Sequence, residues 1–249
     1  MLELKSFIQS LTCSLLLYCQ PQDPKPHPKD QFIIWDVGQG QWTTLVSQKD
    51  CEHFDMGGER FPKPVLKICR RKINRLYISH WDLDHVGLIR KSQKKGLRLC
   101  VAALPTAAST KNLSIEKQIL SIKKCEASSE VYTPSMVFSK SNENSQSFFV
   151  RKKILITGDT PSHLEGNIYF RSPLTKTSAL VVGHHGSYTS TSIEFLKKLR
   201  SLKMAFVSAR YKKYGHPHPT TTKKFKQMRV PLIKTEDWGN LVVEVSSEE

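Results

Sequence analysis

The 249-residue sequence lacks any CxxC pair, and its six cysteines, at 13, 19, 51, 69, 100 and 125, follow no regular spacing. That excludes a zinc ribbon and a thioredoxin-type redox motif. An even count permits disulfides without arguing for them, and small buried hydrophobes are the plain reading of the last four. No internal repeat of fixed period is visible, which excludes solenoids and propellers. No apolar run reaches the roughly twenty residues of a membrane-spanning helix, so the chain is not read as a channel. Acidic residues are scarce: 22 Asp and Glu stand against 38 Lys and Arg, a formal net charge of +16. Such an excess implies an anionic partner, nucleic acid or an anionic surface; the plainer alternative is that many of these residues only keep the surface solvated.

The apolar stretch Phe7 to Cys19 follows Lys5 and has the length of an export signal. Glu3 and Tyr18 fit that reading poorly, and a buried N-terminal helix competes with it. Prolines at 21, 24, 26 and 28 can neither continue a helix nor occupy a central strand. Residues 1–20 therefore read as a signal-like leader, 21–30 as a linker and 31–249 as one catalytic domain. Export places the chain in the periplasm or outside the cell; without it the chain is cytoplasmic.

Within that domain, Phe32 to Val37, Thr43 to Val46 and Cys51 to Asp55 read as three strands of a meander ending at Gly57-Gly58. Arg75 to Ser79 is a further strand, followed by a helix from Val86 towards Lys95. Apolar spacing predicts a surface helix over Leu113 to Cys125. Phe148 to Val150 and Ile154 to Thr157 form a hairpin. Ala179 to Val182, Ala205 to Ser208 and Leu241 to Val245 read as strands, with helices over Ser192 to Arg200 and Thr220 to Met228. Strands first, then strands alternating with helices, predict sheets flanked by helices, an α/β class.

Polar clusters follow the apolar strands, and the densest is His80-Trp81-Asp82-Leu83-Asp84-His85. Two imidazoles and two carboxylates within six positions, leaving a fixed strand, supply the nitrogen and oxygen donors that a pair of divalent ions requires. Asp159 closes the run Ile154-Leu155-Ile156 through Thr157-Gly158, where a carboxylate can bridge two metals or simply cap a turn. Gly183-His184-His185-Gly186-Ser187 and Gly215-His216-Pro217-His218-Pro219 hold two further histidine pairs. One pair suits ligation; the proline-stiffened one suits orienting a phosphate or general-acid work.

Five segments in order, DVGQG (36–40), FDMGG (54–58), SHWDLDHVG (79–87), ITGD (156–159) with GHHGS (183–187), and YGHPHP (214–219), resemble the extracellular metallo-β-lactamase-like domain of the ComEC family of DNA-uptake proteins. The resemblance spans roughly residues 31 to 245. It implies a four-layer αββα sandwich with two divalent ions, Mn²⁺ or Zn²⁺, at one edge of the sheets. On that pattern His80 and Asp82 hold the first metal. Asp84, His85 and one paired histidine, with His184 favoured, hold the second, and Asp159 bridges them. His185 and His216 are the candidates for protonating a leaving oxygen, which with Asp159 makes the catalytic set. No histidine lies between His85 and His163, so the first position is oxygen-rich, which favours Mn²⁺.

Gln41 stands where this family usually has Asp, and Leu88 replaces a second glycine after the metal motif. Both lie outside the implied ligand set, and the first is placed to alter what surrounds it. The expected function is a phosphodiesterase or nuclease acting on DNA, expected single-stranded, with the DNA-uptake machinery as a partner. Basic stretches at Lys67 to Arg75, Arg90 to Arg98, Arg210 to Lys213 and Lys223 to Lys226 would contact phosphates. Trp81, Tyr188 and Tyr211 lie beside the motifs and read either as packing residues or as surfaces on which the bases of a single strand stack. Two other readings stand beside this one: a hydrolase of a small ester, lactam or thioester, and a catalytically weak, metal-stabilised DNA-binding module.

Overall fold

A computed structural model describes residues 29–109, 111–169 and 174–245; the leader at 1–20, most of the linker and Cys13 and Cys19 lie outside the described residues. Among these residues twelve strands form two six-stranded sheets. The first has the order β12-β1-β2-β3-β4-β5, built from Leu241–Val245, Asp30–Ile34, Thr43–Val46, Asp50–Phe54, Ile73–Tyr77 and Leu99–Ala103. The second runs β11-β10-β9-β8-β7-β6, from Leu232–Lys234, Met204–Val207, Ala179–Val181, Ile154–Ile156, Ser147–Val150 and Glu130–Tyr132.

The layering follows from strands that bury both faces. In β1 the side chains alternate: Phe32 and Ile34 join Phe54, Tyr77, Phe148, Ile156 and Phe206 between the sheets. Ile33, on the other face, packs with Leu76, Val65, Ile68, Val86 and Ile119. The second sheet repeats the pattern, with Leu155, Leu180 and Val207 turned outward against Phe195, Leu196 and Phe225 of helices Ile193–Lys198 and Pro219–Gln227. Three apolar clusters thus separate four layers, α, β, β and α, as expected. Apolar runs in both sheets reflect burial on two sides.

The meander and the β7–β8 hairpin pair antiparallel, as predicted. The first strand stops at Ile34, short of Val37, because Val37 N–H turns back to the Trp35 carbonyl. The helix expected over Val86 to Lys95 is two pieces, Leu83–Val86 and Ile89–Lys94. Leu88 N–H donates to Met56 O instead of to its own helix, and that bond holds the break. The helix over Leu113 to Cys125 ends at Leu120, since Cys125 N–H and Lys123 O both pair with Val101 of β5. The four cysteines of the described residues are not separate hydrophobes: Cys51 is bonded to Cys69 and Cys100 to Cys125.

Strands β3, β4 and β5 are mutually parallel, and so are β8, β9, β10 and β11. Their carboxyl ends therefore share an edge, which is where open α/β sheets present ligand sites. Asp55 follows β3, His80 to His85 follow β4, Asp159 follows β8, the paired histidines follow β9, and the segment to His216 follows β10.

Candidate metal centre

The loops at this edge are laced through their backbones. Gln41 N–H donates to Asp84 O, Met56 N–H to His85 O and Gly57 N–H to Gln41 O. A Cβ on Gly57 would lie 2.0 Å from Asp84 O, so the FDMGG turn needs glycine for the metal-motif loop to pass. Gln41, the departure from the family pattern, donates its amide to Asp55 Oδ2 at 3.1 Å. Leu88 is buried in the cluster beneath the motif.

Two groups of potential ligands converge here: His80, His85 and Asp159, and Asp84, His85 and His185. His85 belongs to both, and Asp159 stands beside it, with Oδ1 3.1 Å from His85 Nε2, and Oδ2 3.8 Å from His80 Nε2 and 3.7 Å from His184 Nε2. Asp82 Oδ2 stands 3.7 Å from His80 Nε2 at the solvent side. His185 Nε2 lies 3.1 Å from Asp84 Oδ2. His184 was expected beside Asp84 and His85; the structure places His185 there and His184 on the His80 side. The cause is local: both histidines adopt left-handed backbone, φ 49° and 51°, so consecutive side chains leave the turn in different directions. Non-glycine residues in that region are strained and concentrate at functional sites.

Each of these four histidines is held by its Nδ1. His85 Nδ1 donates to Asp55 Oδ2 at 2.7 Å. His185 Nδ1 lies 3.1 Å from the Ser208 carbonyl, which can only accept. Ser79 spends its hydroxyl proton on Asp55 Oδ2 and so accepts from His80 Nδ1 at 3.0 Å. His184 Nδ1 rests on Thr189 Oγ1 at 3.1 Å. At His80, His85 and His185 the Nε2 lone pair is thereby turned to the cluster, the arrangement that orients histidine ligands to a metal, whereas the Thr189 hydroxyl can donate or accept at His184. Buried His80 Nε2, His85 Nε2 and Asp159 Oδ1 make no hydrogen bond among the described residues, although the last two lie 3.1 Å apart. Buried polar atoms are rarely left so, and cations bound among these side chains would satisfy all three. The donor set therefore fits divalent metal.

Electrostatics agree. Burial works against charge on His85, yet Asp159 and Asp55 hold its pKa well above the ordinary histidine value. His80, buried and next to that charge, is pushed down. Burial would raise Asp159 and Asp84, but His85 for the first and His185 for the second hold both below the usual carboxylate range. The cluster demands positive charge at its centre.

His216 lies across the site, its ring centroid 6.2 Å from that of His184. Trp81 is not a stacking surface: it is 4% exposed and donates Nε1 to the Ala107 carbonyl. Tyr188 and Tyr211 are exposed, at 65% and 50%. Several expected phosphate contacts are already engaged, Arg75 with Asp50 and both Arg210 and Lys213 with Glu59. Asp55, Ser79, Thr189 and Ser208 are supporting residues to which the sequence assigned no role. Asp55 and Ser79 do fall within two of the motifs.

Sandwich architecture and a histidine–aspartate cluster at the strand ends define this chain as a protein of the metallo-β-lactamase fold. YhfI of Bacillus subtilis, a metallo-β-lactamase fold protein, matches with a TM-score of 0.57 at 9% identity, over 87% of this chain and 100% of that one. A diphosphatase of the PhnP family matches with a TM-score of 0.54 at 13% identity, over 84% and 85%. In sequence the chain is similar to ComE operon protein 3 of Bacillus subtilis (strain 168), 26% identical over 87% of this chain and 30% of that protein. It is equally similar to Recombination protein 2 of Haemophilus influenzae, 26% identical over 87% and 29%. These matches bear out the resemblance to the ComEC family, and the chain spans about three tenths of the length of both relatives. No family model matches the chain.

Proposed function

We propose that this chain is a metal-dependent phosphodiesterase that cleaves DNA at a two-cation centre. The observation that carries the reading is Asp159, whose two oxygens face different histidine groups. In this reading His80, Asp82 and His184 would hold one cation and Asp84, His85 and His185 the other, with Asp159 shared between them. When bound, such ions lower the pKa of water and offset charge on a phosphoryl group. The chain's own part is to fix the donors: Asp55, Ser79, Thr189 and Ser208 keep four imidazoles aimed inward. His216 faces the same space to contact the phosphate or its leaving oxygen.

A histidine on the His80 side makes the first position less oxygen-rich than the sequence implies, so Mn²⁺ and Zn²⁺ both remain suited to it. DNA as substrate is supported by the +16 charge and by the similarity to ComE operon protein 3 and Recombination protein 2. The DNA-uptake machinery is the partner this reading supplies. Two disulfides support a periplasmic or secreted location. No helix among the described residues is long and apolar enough to cross a membrane.

A cavity of about 170 Å³ opens beside His80 and Asp82, between the segments carrying Ala107 and Phe138. It favours a second reading, hydrolysis of a small ester. Metal analysis joined to digestion of single- and double-stranded DNA in Mn²⁺, Zn²⁺ and Mg²⁺ tests the proposal, with Asp82→Ala and Asp84→Ala as controls. Cleavage that falls with salt and is lost in both variants supports it. Salt-insensitive turnover of a small neutral ester, unaffected by DNA, overturns it in favour of the second reading.

A further inference from the structure

Five histidines surround the centre, and the hydrogen bonds sort them four to one. His80, His85, His184 and His185 each rest Nδ1 on an oxygen. His216 instead meets the side-chain amide of Gln39, whose Nε2 lies 3.2 Å from His216 Nδ1. Which end of that amide faces the ring is fixed from outside. Arg210 backbone N–H, an unconditional donor, lies 3.2 Å from Gln39 Oε1. The oxygen is therefore committed to Arg210, and the amide NH₂ faces His216.

An amide NH₂ only donates, so His216 Nδ1 must accept, and the proton of the neutral ring sits on Nε2. That nitrogen has no protein hydrogen-bond partner among the described residues. The support is over-determined. Glu59 binds the Arg210 guanidinium at 2.8 Å, Lys213 Nζ at 2.7 Å and Tyr214 OH at 2.8 Å, and lies 3.3 Å from Gln39 N. Ser208 Oγ donates to the Gly38 carbonyl at 3.3 Å. The DVGQG turn of the first sheet and the segment leading to YGHPHP from the second are thus tied together around the amide.

We propose that Gln39 is a positioning residue that locks His216 as an Nε2–H donor, which sets this histidine apart from the four ligand histidines and directs its proton to an anionic substrate oxygen. The inference rests on the phosphodiesterase reading for its substrate, but the tautomer stands on geometry alone. It explains why a glutamine occupies the DVGQG turn: a carboxylate there could only accept, and would draw the His216 proton to Nδ1.

The test is the substitution Gln39→Glu, which keeps an acceptor for Arg210 N–H, makes the side facing His216 an acceptor and adds one negative charge near Glu59. Nitrogen-15 NMR of the Zn²⁺-loaded protein reads the tautomer directly, with His216→Ala assigning the ring. The wild type is expected to show a protonated Nε2 and a bare Nδ1 at His216, and Gln39→Glu the reverse, with melting temperature unchanged. On DNA, Gln39→Glu is expected to lower kcat about a hundredfold with little change in KM. The double variant with His216→Ala should be no worse than His216→Ala alone. A protonated Nδ1 in the wild type, or wild-type kcat in a Gln39→Glu protein whose tautomer has reversed, overturns the proposal. A wild type that cleaves no DNA overturns the phosphodiesterase reading instead, and the NMR result still decides the tautomer.

Discussion

His85 Nδ1 lies 2.7 Å from Asp55 Oδ2, and both side chains are wholly buried. The same carboxylate accepts from Ser79 N at 2.8 Å, Ser79 Oγ at 2.7 Å and Gln41 Nε2 at 3.1 Å. Four donors on one buried aspartate make it the common anchor of both motif loops, although it is not itself placed as a ligand.

Asp55→Asn tests that anchor. Asp55 sits at φ 56°, a conformation asparagine also tolerates, so the backbone is preserved while the charge and one acceptor are lost. Metal affinity is expected to fall about 10- to 100-fold, the usual effect of losing such a partner. Competition with a chromophoric chelator measures it. An unchanged dissociation constant would show that His85 needs no such support.

A second buried histidine gives a pH dependence of stability. His53 is fully buried, and burial pushes its pKa from 6.5 down to about 4 against the raising effect of Asn74. Trp42 Nε1 and Thr44 Oγ1 lie 3.3 and 2.9 Å from Nδ1, and Nε2 meets Asn74 Oδ1 at 3.0 Å. Since an indole N–H can only donate, the network accepts the neutral ring and rejects the charged one. The unfolded chain takes up the proton first, near pH 6.5, so this stability is complete above that value and is lost as pH falls towards 4. Denaturant unfolding should show a loss of about 2 kcal/mol between pH 7 and pH 5 attributable to His53. His53→Gln should flatten that slope even though it weakens the fold at pH 7.

The disulfides are expected to stabilise the first sheet from behind. Cys51–Cys69 and Cys100–Cys125 close loops of 18 and 25 residues. Chain-entropy arguments put the loss on removing either at about 3 kcal/mol. Unfolding midpoints of the Cys51→Ser/Cys69→Ser and Cys100→Ser/Cys125→Ser pairs, each against the oxidised wild type, read this out. Midpoints unmoved by either pair would mean that the bridges add nothing to packing.

Much of this arrangement was legible because the strands beside the site bury both faces and so read as apolar runs, each ending in a polar motif. What escaped was set by pairing between distant segments. Leu99–Ala103, Glu130–Tyr132 and Leu232–Lys234 are short and only partly buried, too brief to show a period. Asp55 gains its role because β3 runs parallel to β4 with Phe54 opposite Tyr77, which brings it beside Ser79. The exchange of His184 and His185 depends on two left-handed residues in a row, which Gly183 and Gly186 on either side do not announce. Trp81 read as either a packing or a base-stacking residue from its place in the motif, and the folding of Asn112 and Ala107 against it selects packing.

With Trp81 buried, the proposed DNA reading leaves the exposed Tyr188 and Tyr211 as candidates for base stacking, and Tyr188 is the one beside the histidine turn. Its ring is 65% exposed and lies 5.4 Å from the His218 ring, one residue beyond the GHHGS turn that carries two of the candidate ligands. Any base can stack on an exposed aromatic face of this kind. Tyr188→Ala is expected to weaken single-stranded DNA about tenfold, within the ~1–3 kcal/mol such contacts supply. Tyr188→Phe should bind as the wild type does, because the ring and not the hydroxyl does the stacking. Duplex affinity should be unchanged in both variants, since paired bases offer no free face. Fluorescence anisotropy with labelled single and double strands at one fixed salt concentration distinguishes these cases. Equal losses on both forms of DNA would instead make Tyr188 a packing residue for the histidine turn.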